Sequence, residues 1–177
     1  NGKSVISNVL YSKDIIATIN AMRACGAKIE EFKDHLVIEG SNVRRACNVI
    51  DANESGSTIR FMIPIALVCS DEITFTGKNN LVIRPLDTFF EIFDKQDIKY
   101  ERGSDYLPLK VNGGLSAGEF SIRGDISSQF ITGLLYSLPL LDGDSIIKIT
   151  TNPIKSFLFF FIFFQLENNK FIIFPNS

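Results

Sequence analysis

The sequence has one histidine and three cysteines among 177 residues, and neither count supports the commoner metal and nucleophile chemistries. With His35 alone, a Ser-His-Asp triad, a Cys-His pair or a multi-histidine metal site would have to run through a single imidazole. That histidine lies in Asp34-His35-Leu36-Val37-Ile38, which reads as the start of a strand, so it is expected as an exposed strand-end side chain. Cys25, Cys47 and Cys69 are odd in number and widely spaced, with no CxxC pair, which excludes a disulfide framework and a zinc site. There is no excess of positive charge: 18 Lys and Arg against 20 Asp and Glu leave a net −2, unsuited to neutralising a nucleic acid. A glycine-rich nucleotide loop is missing too. Ser55-Gly56-Ser57-Thr58 lacks the Gly-Lys-Ser/Thr ending of a P-loop, and no GxGxxG follows a strand. Asn1-Gly2-Lys3-Ser4 shows no charged-then-apolar leader, and the unbroken apolar run Phe157–Phe164 falls far short of the roughly 20 residues a membrane helix needs. A reduced, soluble, cytoplasmic chain without a membrane partner is expected.

What is present is a globular balance, 45% hydrophobic and 21% charged, that bounds the chain to one domain or one domain plus part of another. Within it lies a repeat of about seventy residues. Strand-like Val5–Leu10 leads to a helical stretch with Ile15, Ile19 and Met22 on one face. Gly26 follows at a helix end, then short strands at Lys28–Phe32 and Leu36–Ile38. The same order recurs with strand Ile73–Thr76, Pro85 at a first helical position, an apolar face of Leu86, Phe90 and Phe93, and strands Ile98–Tyr100 and Leu109–Val111. A third copy begins with Ile146–Ile149 and continues through Pro153, Ile154, Leu158 and Phe161 to Phe171–Phe174. Ile15, Leu86 and Ile154 stand 71 and 68 residues apart.

Two further stretches, Ile59–Val68 and Phe130–Leu135, are apolar almost all round and read as helices buried on every side. Phe61 and Phe130 repeat the period at 69 residues. The unit is therefore strand, buried helix, strand, amphipathic helix, strand, strand. Three such units predict helices inside and sheets outside about a pseudo-threefold axis. The unit length also predicts roughly 30 to 40 further residues ahead of Asn1, carrying the first unit's own buried helix.

Both buried helices open on hydroxyl-rich turns, Ser55-Gly56-Ser57-Thr58 and Ser127-Ser128-Gln129. Unpaired N–H groups, hydroxyls and the positive dipole end make such a turn able to hold an anion, although capping alone also explains serine there. Arg84, just before Pro85, either solvates a helix start or presents its forked guanidinium to a phosphate or carboxylate. Arg60, one turn into a buried helix, is expected to pair with an acidic neighbour. Glu91, Asp94 and Asp97 read as the wet face of an amphipathic helix, and no carboxylate pair is forced into acid–base geometry.

Glu54-Ser55-Gly56-Ser57-Thr58-Ile59-Arg60-Phe61, then Arg84-Pro85-Leu86, then Gly124-Asp125-Ile126-Ser127-Ser128-Gln129-Phe130, in that order and spacing, resemble the 5-enolpyruvylshikimate-3-phosphate synthases. The resemblance runs from Asn1 to about Thr150. The Arg-Pro and Ser-Ser-Gln-Phe elements separate it from the sister family acting on UDP-N-acetylglucosamine, which stays as an alternative. The resemblance implies an α/β (α+β) fold, an inverted β-prism lobe of pseudo-threefold βαβαββ units, present here in part over residues 1–150. Residues 151–177 form a divergent Phe-rich segment. It implies transfer of the enolpyruvyl group of phosphoenolpyruvate to the 5-hydroxyl of shikimate 3-phosphate with release of phosphate, in the chorismate branch of aromatic amino acid biosynthesis and without metal or organic cofactor. By the same resemblance Ser127 and Ser128 would bind the phosphate of shikimate 3-phosphate and Gln129 would contact bound substrate. Arg84 would clamp phosphoenolpyruvate, and Gly56 would line its pocket.

The departures from the family pattern are specific. A Lys-Ser pair with a following Arg is expected ahead of Asn1. The proton-transfer residues belong to a second lobe, so no catalytic residue is assigned within these residues, and the chain alone is expected to be inactive or weakly binding. Thr151-Asn152-Pro153-Ile154 keeps only the proline of a Ser-Lys-Pro-Tyr-like stretch, and Glu54 replaces a common Asn beside the phosphoenolpyruvate pocket. A rival reading is a repeat-built interaction module whose Phe-rich tail, holding eight of the sixteen phenylalanines, docks a partner or a second copy while the serines only cap.

Overall fold

The computed structural model describes residues 2–40, 42–44, 46–68 and 72–151, together with the backbone of a last strand at 171–175. The apolar run Phe157–Phe164 and the Asn152–Ile154 stretch lie outside the described residues. In chain order the elements are β1 (Gly2–Ser7), α1 (Lys13–Ala24), β2 (Lys28–Glu31), β3 (His35–Gly40), β4 (Val49–Asp51), α2 (Gly56–Ala66), β5 (Glu72–Thr76), α3 (Asp87–Lys95), β6 (Lys99–Arg102), β7 (Leu109–Asn112), β8 (Glu119–Ile122), α4 (Ser128–Ser137), β9 (Ser145–Ile149) and β10 (Phe171–Pro175).

The second repeat unit is complete: β4, α2, β5, α3, β6, β7, the predicted order. Its strands form one sheet, β4-β5-β7-β6, in which β4 runs parallel to β5 and the other pairs are antiparallel. The first sheet, β1-β3-β2, reproduces the β5-β7-β6 arrangement. The third begins as the second does, with β8 parallel to β9 across the α4 crossover. It then departs, because β10 pairs parallel with β9 where β7 runs antiparallel to β5.

Strand alternation aims the core. Ile50, Ile73, Phe75, Leu109 and Val111 of the second sheet and Phe120, Ile122, Ile147 and Ile149 of the third are buried in one cluster with α2 and α4. Nine of the eleven α2 residues are buried, which is what its all-round hydrophobicity demands. Gly133 of α4 lies against the backbone carbonyl of Arg60, and a Cβ there would also meet Pro64 Cγ at 3.0 Å. The missing side chain lets α2 and α4 cross in direct backbone contact. Together α2 and α4 form the central pair.

The first sheet stands outside this cluster. All six residues of β1 are exposed, Val5 and Ile6 at 59% and 49%, and Leu36 is the sheet's one buried residue. The described residues of this unit include no buried helix beneath it. The α1 face differs accordingly from the expected one: Ala17, Ile19 and Ala21 are buried against α2 and β4, whereas Ile15 is exposed. Two boundaries also move. Strand β1 stops at Ser7 because Asn8 takes a left-handed φ of 59°. Pro85 is not a first helical residue: the buried Leu86 turns the chain inward and α3 starts only at Asp87. His35 opens β3, stacked on Phe32 at 4.4 Å and hydrogen-bonded to Asp34.

Candidate functional site

The start of α2 spends most of its hydroxyls on structure. Ser55 is the N-cap, accepting from the Thr58 N–H at 3.2 Å and from the Thr58 hydroxyl at 2.8 Å. The Thr58 hydroxyl also pairs with that of Thr18 at 2.8 Å, tying α1 to α2. Ser55 and Thr58 are therefore caps and braces, as the simpler reading of the turn requires. Gly56 is different. A Cβ built on it would come within 2.5 Å of Arg84 Nη1 and 3.0 Å of Arg60 Nη1, so its bare Cα is what allows two guanidinium groups to meet over the helix N-terminus.

Arg84 reaches this place from a short turn anchored on both sides. Buried Leu81 and Leu86 flank it, the Arg84 N–H donates to the Leu81 carbonyl at 3.1 Å, and the exposed side chain takes no hydrogen bond or ion pair among the described residues. Arg60 approaches from inside α2. It is 8% exposed, donating from Nη1 to the Gly56 carbonyl at 3.3 Å and to Gln129 Oε1 at 3.2 Å, and from Nη2 to the Pro85 carbonyl at 3.4 Å. Its guanidinium lies 5.1 Å from the Phe130 ring centroid. Desolvation first, and the like charge of Arg84 second, press the Arg60 guanidinium below its ordinary pKa. The expected acidic partner of Arg60 is not found among the described residues, where all three of its acceptors are neutral. The correction has a plain cause, since the first turn of α2 carries no acidic residue and that of α4 carries none either.

The start of α4 completes the group. Ser127 caps it, its Oγ accepting from the Gln129 N–H at 3.3 Å, while the Ser128 hydroxyl takes no partner among the described residues. The turn before Ser127 is pinned. Asp125 makes a two-pronged pair with Arg123, at 3.1 and 2.8 Å, and Thr151 Oγ1 accepts from the N–H groups of Gly124 and Asp125 while donating to Asp125 Oδ1 at 3.0 Å.

Of the residues singled out in the sequence, Gly56, Arg84 and Gln129 are thus brought together, with Ser127 and Ser128 entering through Gln129 at the same helix start. Arg60 is the member sequence reasoning misplaced. The clue was the period: Arg60 and Gln129 are 69 residues apart, like Phe61 and Phe130. The cluster carries two positive side chains, two helix N-termini and no carboxylate partner among the described residues, an arrangement that attracts anions. A groove of about 490 Å³ between α3 and β8 offers the opposite, with Glu91, Asp94 and Glu119 around Lys95. Among the described residues no group of His, Cys, Asp and Glu is placed to hold a metal, and no helix is long and apolar enough to cross a membrane.

The family described as EPSP synthase (3-phosphoshikimate 1-carboxyvinyltransferase) matches residues 1–156. The chain belongs to the EPSP synthase family. Among its relatives, 3-phosphoshikimate 1-carboxyvinyltransferase of Clostridium perfringens (strain SM101 / Type A) is 52% identical over 152 residues, covering 85% of this chain and 36% of that protein. The protein of the same name from Clostridioides difficile (strain 630) is 49% identical over 162 residues, 85% and 37%. The chain therefore spans about a third of the length of these curated EPSP synthase relatives. In fold it is similar to EPSP synthase from Acinetobacter baumannii, with a TM-score of 0.72 at 17% identity over 98% of this chain and 44% of that one. An incomplete enolpyruvyl transferase lobe, with mixed helix and strand, is the resulting fold.

Proposed function

We propose that this chain forms part of the substrate-holding surface of a 3-phosphoshikimate 1-carboxyvinyltransferase. In that reaction the 5-hydroxyl oxygen of shikimate 3-phosphate bonds to C2 of phosphoenolpyruvate, a proton having been added at C3. The bond from C2 to the phosphate oxygen then breaks, phosphate leaves, and loss of a proton restores the double bond. The work required is to hold two acidic metabolites side by side and to stabilise charge on the tetrahedral intermediate.

The observation that carries the proposal is the meeting of Arg84 and Arg60 over Gly56, beside the start of α4, with neither guanidinium in an ion pair among the described residues. In this reading Arg84 clamps phosphoenolpyruvate. The hydroxyls of Ser127 and Ser128 take the phosphate of shikimate 3-phosphate, and Gln129 contacts bound substrate. Gly56 keeps the phosphoenolpyruvate side open. A second lobe supplies the proton-transfer groups and closes over the substrates, in the cytoplasm. In the rival reading, the Phe-rich segment 157–174 is where a partner or a second copy would dock.

Calorimetric titration of the full chain with shikimate 3-phosphate, beside Ser127→Ala/Ser128→Ala, tests the assignment. The proposal expects heat from the first protein and little from the variant. Equal heats for both would remove the serines from the site. A size-exclusion profile that changes from oligomer to monomer on deleting 157–174 would favour the interaction-module reading instead.

A further inference from the structure

Arg60 is a buried cation whose hydrogen-bond partners among the described residues are all uncharged. Among the described residues its three contacts, at 3.2 to 3.4 Å, go to the carbonyls of Gly56 and Pro85 and to the Gln129 amide, and its buried Nε has no partner there. These lengths sit at or beyond the long end of ordinary N–H···O bonds. A buried guanidinium in such company is strongly disfavoured unless something else supplies the negative charge.

The three acceptors belong to three different elements: Gly56 to the first turn of α2, Pro85 to the turn carrying Arg84, and Gln129 to the first turn of α4. From these observations we infer that Arg60 is a positioning residue. It draws the three anion-facing turns around one pocket and leaves its own charge to be balanced by the bound anion. The inference rests on the anion-pocket reading above and adds to it the residue that assembles the pocket.

The chemistry of Gln129 follows. A guanidinium only donates, so the amide oxygen must face Arg60, and the amide N–H groups, without a hydrogen bond among the described residues, are left for a ligand. A carboxylate at this position would satisfy Arg60 completely and cancel the charge the ligand needs. Glutamine holds Arg60 without neutralising it.

The experiment is a thermal melt of the full chain against inorganic phosphate, with Gln129→Glu and Arg60→Lys alongside and circular dichroism to verify folding. Wild type is expected to melt higher as phosphate rises. Gln129→Glu should melt at least as high as wild type without phosphate, because it gains a partly buried ion pair, and should bind phosphate about tenfold or more weakly. Arg60→Lys keeps the charge but not the three-way fork, and is also expected to bind about tenfold more weakly. Phosphate affinity within about twofold of wild type in either folded variant overturns the inference. If Arg60→Lys fails to fold, Gln129→Glu alone decides. Absence of any phosphate response in wild type removes the anion-pocket reading, and Arg60 is then judged by the phosphate-free melts. A Gln129→Glu melt below wild type overturns its role there.

Discussion

Arg60 and Gln129, 69 residues apart, are hydrogen-bonded from Nη1 to Oε1 at 3.2 Å. The separation equals that of Phe61 and Phe130, so equivalent positions of two repeat units face each other across the α2–α4 pair. They sit at different depths. Arg60 lies a full turn inside α2, whereas Gln129 is the second residue of α4, because α2 begins a turn earlier. Helical side chains lean toward the N-terminus, so the long Arg60 side chain returns along α2 to the Gly56 carbonyl and meets the start of α4.

Gly56→Ala separates the pocket from the fold. The new Cβ meets chiefly the exposed end of Arg84, at 2.5 Å, rather than backbone, so that side chain swings aside at little cost, while the 3.0 Å approach to Arg60 asks for a shift of only a few tenths of an ångström. Stability is expected to change by less than about 1 kcal/mol, since alanine is at least as good a helix former as glycine. Affinity for phosphoenolpyruvate or phosphate is expected to fall about tenfold as Arg84 is displaced. Urea unfolding and calorimetry measure the two quantities, and unchanged affinity would show that Arg84 does not face the ligand.

The same substitution at Gly133 should behave oppositely. There the Cβ is driven into the Arg60 carbonyl, a backbone atom, and into Pro64, neither of which can rotate away. Forcing α2 and α4 apart is expected to cost about 1–3 kcal/mol, the range for overpacked cores. Equal urea midpoints for Gly133→Ala and wild type would mean the helices cross more loosely than this contact demands.

Phe130 joins the pocket to the core. It is 2% exposed, its ring is edge-on to Phe89 at 5.0 Å, and Arg60 lies on it. Phe130→Ala is expected to lose about 3–5 kcal/mol through the cavity it leaves. Phe130→Leu should retain much of the buried area yet lose the cation–π contact, worth about 0.5–2 kcal/mol. A loss below about 1 kcal/mol for the alanine variant would place this ring outside the cooperative core.

The repeat was legible because it is written in hydrophobic spacing, which packing enforces: the buried α2 and α4, the Leu86, Phe90 and Phe93 face, and the strand pairs all formed where the period placed them. The convergence of Gly56, Arg84 and Gln129 was legible through motif order rather than physics alone. What escaped was set by local backbone. Asn8 ends β1 early, Leu86 delays α3, and Ile15 is exposed where the described residues of the first unit include no buried helix to cover it. Arg60 was misjudged for a different reason. An acidic partner is the common solution for a buried guanidinium, and nothing in one helix reveals that, besides the Gly56 carbonyl of its own first turn, Arg60 takes neutral acceptors from the Pro85 turn and from α4.

Asp125 makes the entrance to α4 sensitive to acid. The two-pronged contact with Arg123, aided by the Thr151 hydroxyl, holds its carboxyl at a pKa of about 2, below the ordinary value of 3.8. A carboxyl depressed in the folded state stabilises fully above its unfolded pKa, and that contribution disappears as the pH falls toward the folded one. The window therefore runs from about pH 4 down to about pH 2, with the unfolded value near 3.9. Asp125→Asn is expected to flatten the fall of melting temperature across that window and to leave the ligand-free melt above pH 5 little changed, because the pair is exposed and screened by salt. Carbon-detected NMR of the Asp125 carboxyl gives the direct reading. A midpoint near 4 would mean that Arg123 and Thr151 do not hold the turn before Ser127 in solution.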